Sequence, residues 1–109
     1  MKMRRGDLLV VALPGDYGKP RPALVVQGDA FNEIASLTVL PLTGDLQPAP
    51  LVRIAVDPTG SNGLQTRSHI MVDKATTVSR TKIGRHIGRV DERTMRLVDH
   101  ALVQFFELG

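Results

Sequence analysis

Five short apolar runs punctuate the chain, with Gly, Pro, Asp or Asn within two residues of at least one end of each: Leu8–Leu13, Ala23–Val26, Leu37–Leu42, Leu51–Val56 and His69–Val72. Their length and their content of Val, Leu and Ile predict β-strands rather than helices. Between the first two lies Pro14-Gly15-Asp16-Tyr17-Gly18-Lys19-Pro20, where two prolines and two glycines in seven residues leave no room for regular structure. Thr43–Pro48 and Asp57–Gly63 are loops for the same reason. No internal repeat or low-complexity tract interrupts this order.

The last segment has a different period. Asp91 offers a side-chain oxygen to the free amides of a helix predicted to run to about Glu107. Met95, Val98, Ala101, Leu102 and Phe105 fall at three- and four-residue spacing and form an apolar stripe, while Arg93, Arg96, Asp99 and Gln104 face elsewhere. Phe105 and Phe106 are therefore expected as core or dimer contacts rather than as base-stacking groups. Strands followed by one terminal helix predict a mainly β fold, a small antiparallel barrel with the C-terminal helix laid against it.

Composition narrows the class. The 109 residues, 42% hydrophobic and 23% charged, suit one globular domain spanning 1–109. The absence of cysteine excludes disulfides, thiolate metal sites and a cysteine nucleophile. Basic Met1–Arg5 ahead of an apolar run imitates a signal peptide, yet Gly6-Asp7 interrupts it and no small-residue cleavage site follows. A buried strand fits better, and the expectation is a soluble, cytoplasmic protein without a membrane segment. The net charge of +3 is unevenly spread, since residues 67–96 hold eight Lys or Arg against three acids, an excess of +5. That block is either a solvated face or a groove for a polyanion.

Several chemistries find no support. Gly18-Lys19-Pro20 lacks the spacing of a phosphate-binding loop, and no Gly-x-Ser-x-Gly elbow is present. His69, His86 and His100 lie far apart and match no metal-ligand spacing, so neither a metal nor another cofactor is expected. His100 reads as a helix surface or packing residue, His69 as the start of a strand, and His86 as a group that phosphate could meet within the basic block.

Three stretches taken together are more specific. They are Arg5-Gly6-Asp7-Leu8-Leu9-Val10-Val11 with Lys19-Pro20-Arg21-Pro22-Ala23-Leu24-Val25-Val26; Val39-Leu40-Pro41-Leu42-Thr43; and Gly63-Leu64 leading to Ser68-His69-Ile70-Met71-Val72-Asp73-Lys74. In this order and spacing the chain resembles the MazF/PemK toxin family over nearly its whole length. The resemblance implies an SH3-like barrel, normally homodimeric, acting as a metal-independent endoribonuclease on single-stranded RNA until a cognate antitoxin covers the site.

Metal-free RNA cleavage needs a proton acceptor near the 2′-hydroxyl, a donor near the leaving oxygen and positive charge on the non-bridging oxygens. Arg21 suits the last role, since its guanidinium stays charged and Pro20 and Pro22 restrict the backbone that aims it. By resemblance Arg21 falls on the family's active-site arginine, Thr43 on its threonine and Asp73 on an aspartate used by some members. Those members place an arginine two residues before that aspartate, where this chain has Met71. Several also carry a histidine or glutamate in the first loop, where this chain offers Asp16 and Tyr17. The general base is left open among Asp16, Asp73 and Thr43. Lys19, Tyr17, Ser68 and Lys74 are candidate RNA contacts, and Arg80, Lys82, Arg85 and Arg89 candidate groove residues for RNA or an acidic antitoxin tail. Two rival readings are a MazF-like binding module that has lost turnover and a CcdB-like protein that inhibits gyrase without catalysis.

Overall fold

The computed structural model describes residues 3–13 and 19–109. Seven strands, β1 (Asp7–Ala12), β2 (Pro20–Val25), β3 (Ser36–Thr43), β4 (Arg53–Val56), β5 (Ser68–Met71), β6 (Thr76–Ser79) and β7 (Ile83–Arg89), precede one helix, α1 (Glu92–Phe105). Their order in the sheet is β4-β5-β3-β2-β1-β7, with β6 joined to β3, and every pairing is antiparallel. The expected β architecture with a C-terminal helix is present, and all five apolar runs contribute a strand. Three strands lie in the basic block, and the apolar pattern marked β5 but not β6 or β7.

β3 organises the sheet. One edge pairs with β2, while the other is shared: Ser36–Val39 pairs with β6, and Leu42 and Thr43 pair with β5. Residues 71–75 thus skirt only Leu40 and Pro41, so the excess chain bulges out as a 3-10 turn at Val72–Lys74. The predicted strand end at Val72 gives way to this turn.

The first three runs are continuously apolar because their strands are buried on both faces. Side chains alternate across a strand. Leu8, Leu24, Leu40 and Leu42 therefore pack with Ile54, Ile70 and Val98 of α1, while Leu9, Val11, Ala23, Val25, Leu37 and Val39 join Val78 in a second cluster. Burying one such Leu contributes about 1.5–3 kcal/mol, against about 0–1 kcal/mol for an exposed ion pair, so these strands dominate stability.

α1 begins as expected: the Thr94 amide donates to Asp91 Oδ1 at 2.8 Å. Val98 and Ala101 are buried and Met95 and Leu102 partly so. Phe105 and Phe106 instead remain 44% and 50% exposed, edge to face at 5.1 Å. They are not core residues of this chain.

The Asp57–Leu64 segment closes the exposed edge of β7. Buried Asn62 holds it, its Oδ1 accepting from the Thr59 and Leu64 amides at 3.0 Å each and its Nδ2 donating to Asp57 O at 2.9 Å. The Arg89 amide then donates to Ser61 O at 2.9 Å. At Gly88 an added Cβ would lie 2.4 Å from Ser61 O, so only glycine lets the two backbones meet.

Candidate functional site

One lateral rung crosses the sheet and carries most of the candidate chemistry. The ladders pair Ala55 with His69, His69 with Thr43, Arg21 with Val11, and Val11 with Ile83. β2 and β3 pair Leu24 with Leu40 and Ala23 with Pro41. Carried two residues further, that register sets Arg21 across from Thr43, at the end of the ladder where Pro22 and Pro41 have no N–H to donate. Arg21, Thr43 and His69 share one face, the one that carries the second cluster of Ala23, Val25 and Val39, and stand at its rim. Arg21 is exposed, and Thr43 and His69 are half-buried. Thr43 Oγ1 accepts from the Asp45 amide at 3.1 Å, a turn-capping bond that also fixes the hydroxyl.

Asp73 sits in the bulge beside β3. Its guanidinium partner is Arg53, with Nη2 3.3 Å from Oδ2 and side chains only 14% and 27% exposed. Arg53 stands on β4 as the cross-strand partner of Met71. The cation next to this carboxylate therefore comes from the neighbouring strand, two residues before Asp73 in register though not in sequence. Arg53 Nε, Asp73 Oδ1 and His69 Nδ1 are the buried polar side-chain atoms without a hydrogen-bond partner among the described residues. Such atoms are few in native proteins, and here all three belong to one neighbourhood, since Arg53 and His69 are diagonal neighbours on the β4–β5 face. Arg53 and His69 were not singled out by sequence, where one is a lone cation at a strand start and the other a strand residue. The one legible signal was Met71, which left a cation missing.

The remaining candidates divide. Ser68 alternates onto the opposite face from His69, is buried and donates from Oγ to Thr66 O at 3.0 Å, so it does not share the face of Arg21. Lys19 and Lys74 are exposed beside Arg21 and Asp73 in the chain. Tyr17 and Asp16 lie outside the described residues. The basic block is partly consumed by structure. Arg80 donates to the carbonyls of Ile34 and Asn32 and covers Met3, which makes it a clamp on the second cluster. Arg89 pairs with buried Asp7 at 2.5 Å and donates to Arg5 O at 3.0 Å, while His86 Nε2 lies 3.4 Å from the same carboxylate. Arg80 and Arg89 thus have structural partners, although the Arg89 and His86 side chains stay 42% and 40% exposed and Arg89 lines a groove with Ser61, Asn62 and Thr94. Lys82 and Arg85 are exposed, and among the described residues neither has an ion-pair partner. Arg85 lines a groove with Pro20, Pro22, Gln65 and Thr66, on the face of β2 opposite Arg21.

Residues 4–106 match the family described as PemK-like, MazF-like toxin of type II toxin-antitoxin system. The chain belongs to the PemK/MazF toxin family. A relative from Mycolicibacterium smegmatis, named probable endoribonuclease MazF, is 47% identical over 98% of this chain and 99% of its own length. Among solved structures, MazF from Deinococcus radiodurans superposes with TM-score 0.82 at 17% identity over 98% of each chain. An endoribonuclease in complex with its cognate antitoxin, from a mycobacterial species, gives TM-score 0.81 at 23% identity over 98% of this chain and 97% of that one. These likenesses fix a MazF-type fold for the rung just described. Among the described residues, no helix of this toxin-family chain is long and apolar enough to cross a membrane, and no three acidic or histidine side chains are grouped as metal ligands would be.

Proposed function

We propose that this chain is the toxin of a toxin-antitoxin pair, an endoribonuclease that cuts single-stranded RNA at the Arg21–Thr43–His69 rim. The observation that carries it is the register: Arg21 and Thr43, distant in sequence, come to adjacent strands on one face with Asp73 in the bulge alongside. The 47% identical relative bearing the name of an endoribonuclease supports the activity, and the antitoxin complex of a structural neighbour supports the partner.

The 2′-oxygen attacks the adjacent phosphorus as its proton passes to the carboxylate of Asp73, half-buried in the bulge beside β3. The P–O5′ bond breaks, O5′ takes a proton from water, and a 2′,3′-cyclic phosphate remains. Arg21 binds the non-bridging oxygens, whose charge grows in the transition state. Thr43, held by the Asp45 amide, donates its hydroxyl proton to the same phosphate. No step is assigned to a metal. Lys19, Lys74 and Lys82 hold the RNA backbone and Arg85 continues its track into the groove on the other face of β2, and single strands are preferred because a small site reads splayed bases. The exposed Phe105–Phe106 pair serves a homodimer contact, and the antitoxin covers the groove in the cytoplasm, where the RNA is.

The test is long single-stranded RNA incubated with the protein in excess EDTA, beside Arg21→Ala. Discrete fragments ending in cyclic phosphate from the wild type, reduced about 100-fold or more in the variant, are expected. Intact RNA at every protein concentration overturns the proposal, as does inhibition of gyrase supercoiling without RNA cleavage.

A further inference from the structure

We propose that the groove on the face of β2 opposite Arg21 is a base-reading pocket, and that Gln65 at its rim sets which nucleobase beside the cut is accepted. This rests on the nuclease reading above and deepens it, since it assigns specificity to a residue that takes no part in the cleavage step. The groove encloses about 490 Å3, inside the range of about 300–1,000 Å3 usual for small-ligand sites. Pro20 and Pro22 line it from the two positions that flank Arg21 in β2. An RNA strand whose scissile phosphate lies at Arg21 therefore passes over the start of β2 and lays a neighbouring base on the other side.

The lining suits a base. Val10 and Pro22 are cross-strand partners, and with Pro20 and Ile87 they give an aliphatic floor for the face of a ring. Gln65 and Arg85 stand exposed around that floor, and among the described residues neither side chain has a hydrogen-bond or ion-pair partner. Gln65 differs from an ordinary surface amide because both of its neighbours are pinned. The amide of buried Leu64 donates to Asn62 Oδ1 at 3.0 Å, and the Thr66 carbonyl accepts from the Oγ of buried Ser68 at 3.0 Å. The Gln65 side chain is thus presented from a fixed backbone, which leaves less to order on binding. An amide holds a donor and an acceptor side by side, the pairing that reads one base edge in two bonds. Arg85 supplies positive charge for an adjoining phosphate, so the lining fits a nucleotide better than an apolar side chain of a protein.

The test maps the cut sites of wild type, Gln65→Leu and Gln65→Glu on one long single-stranded RNA by sequencing the fragment ends. Beside it, binding of non-cleavable 2′-O-methyl oligo-A, oligo-C and oligo-U is measured for wild type and Gln65→Leu. Gln65→Leu removes both polar groups at an exposed position and leaves the fold in place. It is expected to relax the base preference at a single position beside the cut by about 5- to 150-fold, with the other positions as in the wild type. It should also level the wild type's ranking of the three oligomers. Gln65→Glu, an acceptor only, should move that same position towards guanine, whose N1–H and N2–H lie side by side. A preference that is unchanged in either variant, lost at several positions together, or replaced by an equal slowing at every site overturns the inference. So does a wild type that binds the three oligomers equally. A wild type that cleaves nothing, while Gln65 still governs the ranking of oligomers, overturns the nuclease reading alone, so the two failures are distinguishable.

Discussion

His69 faces Thr43 directly across β5 and β3, and its Nδ1 is buried with no hydrogen-bond partner. A nitrogen left in that state costs about 1–3 kcal/mol, a cost that a role in the site would explain. His69→Leu removes the unsatisfied atom at similar volume, so the folded state is expected to be as stable as the wild type or about 1 kcal/mol more stable. RNA cleavage is expected to fall about tenfold, because the imidazole beside Thr43 is lost from the rim. Urea unfolding and a cleavage assay on the same preparation check both arms. A variant that cleaves at the wild-type rate would return His69 to a packing role.

The basic block contains two kinds of arginine, and substitution should separate them. Arg89→Ala strands the Asp7 carboxylate, which is only 6% exposed, and is expected to cost about 2–4 kcal/mol in folding. Lys82→Ala with Arg85→Ala touches two exposed groups and should leave stability within about 0.5 kcal/mol. Binding of a non-cleavable single-stranded RNA across a salt series should then lose slope, by about 1.4 for the pair at roughly 0.7 per phosphate contact. An unchanged slope would make Lys82 and Arg85 solvated surface.

What the chain disclosed of itself follows from how each signal is encoded. Strands buried on both faces read as unbroken apolar runs, so β1, β2 and β3 were legible with boundaries off by a residue or three. β6 and β7 were not, because Thr76–Ser79 and Ile83–Arg89 each bury little on one face and are dominated by polar and basic residues. The helix cap at Asp91 was local and therefore readable. For Phe105 the spacing left core and dimer contact open, because helical period says which face a residue shares and not whether anything covers it; its exposure removes the core alternative. At the site, Arg21, Thr43 and Asp73 came from motifs. The partner of Asp73 did not, since a cross-strand relationship between Arg53 and Met71 exists only once register is known. Likewise, nothing local marks Arg80 and Arg89 as structural, because their acceptors, Ile34 O, Asn32 O and Asp7, lie 46 to 82 residues away.

The seam between the Asp57–Leu64 segment and β7 makes a steric prediction. Gly63 has φ +70°, and a Cβ there would fall 2.0 Å from Ile87 O, whereas nothing lies within 4 Å of a Cβ added at Gly44. Gly63→Ala is expected to destabilise by about 3 kcal/mol through strain and the forced separation of two backbones. Gly44→Ala should be within about 0.5 kcal/mol of the wild type. Thermal unfolding of the two variants provides the comparison, and equal midpoints would mean the segment docks less tightly than its contacts indicate.

Asp91 gives the fold a defined acid sensitivity at the start of α1. The Thr94 amide and hydroxyl hold its carboxyl below the ordinary value of 3.8. A carboxyl lowered on folding contributes stability that is fully present above its unfolded value and is lost as pH falls through the folded one. Asp91→Ala should therefore melt at a lower temperature than wild type at neutral pH, because the Thr94 amide loses its acceptor. The gap should narrow as pH is lowered past 3.8, where the wild-type carboxyl takes up its proton and caps less well. Asp91→Ser, which caps without ionising, should recover most of the neutral-pH stability. Melting curves at neutral pH and near pH 3 test the sign, and a gap that widens on acidification would show that the cap does not act through the charged carboxylate.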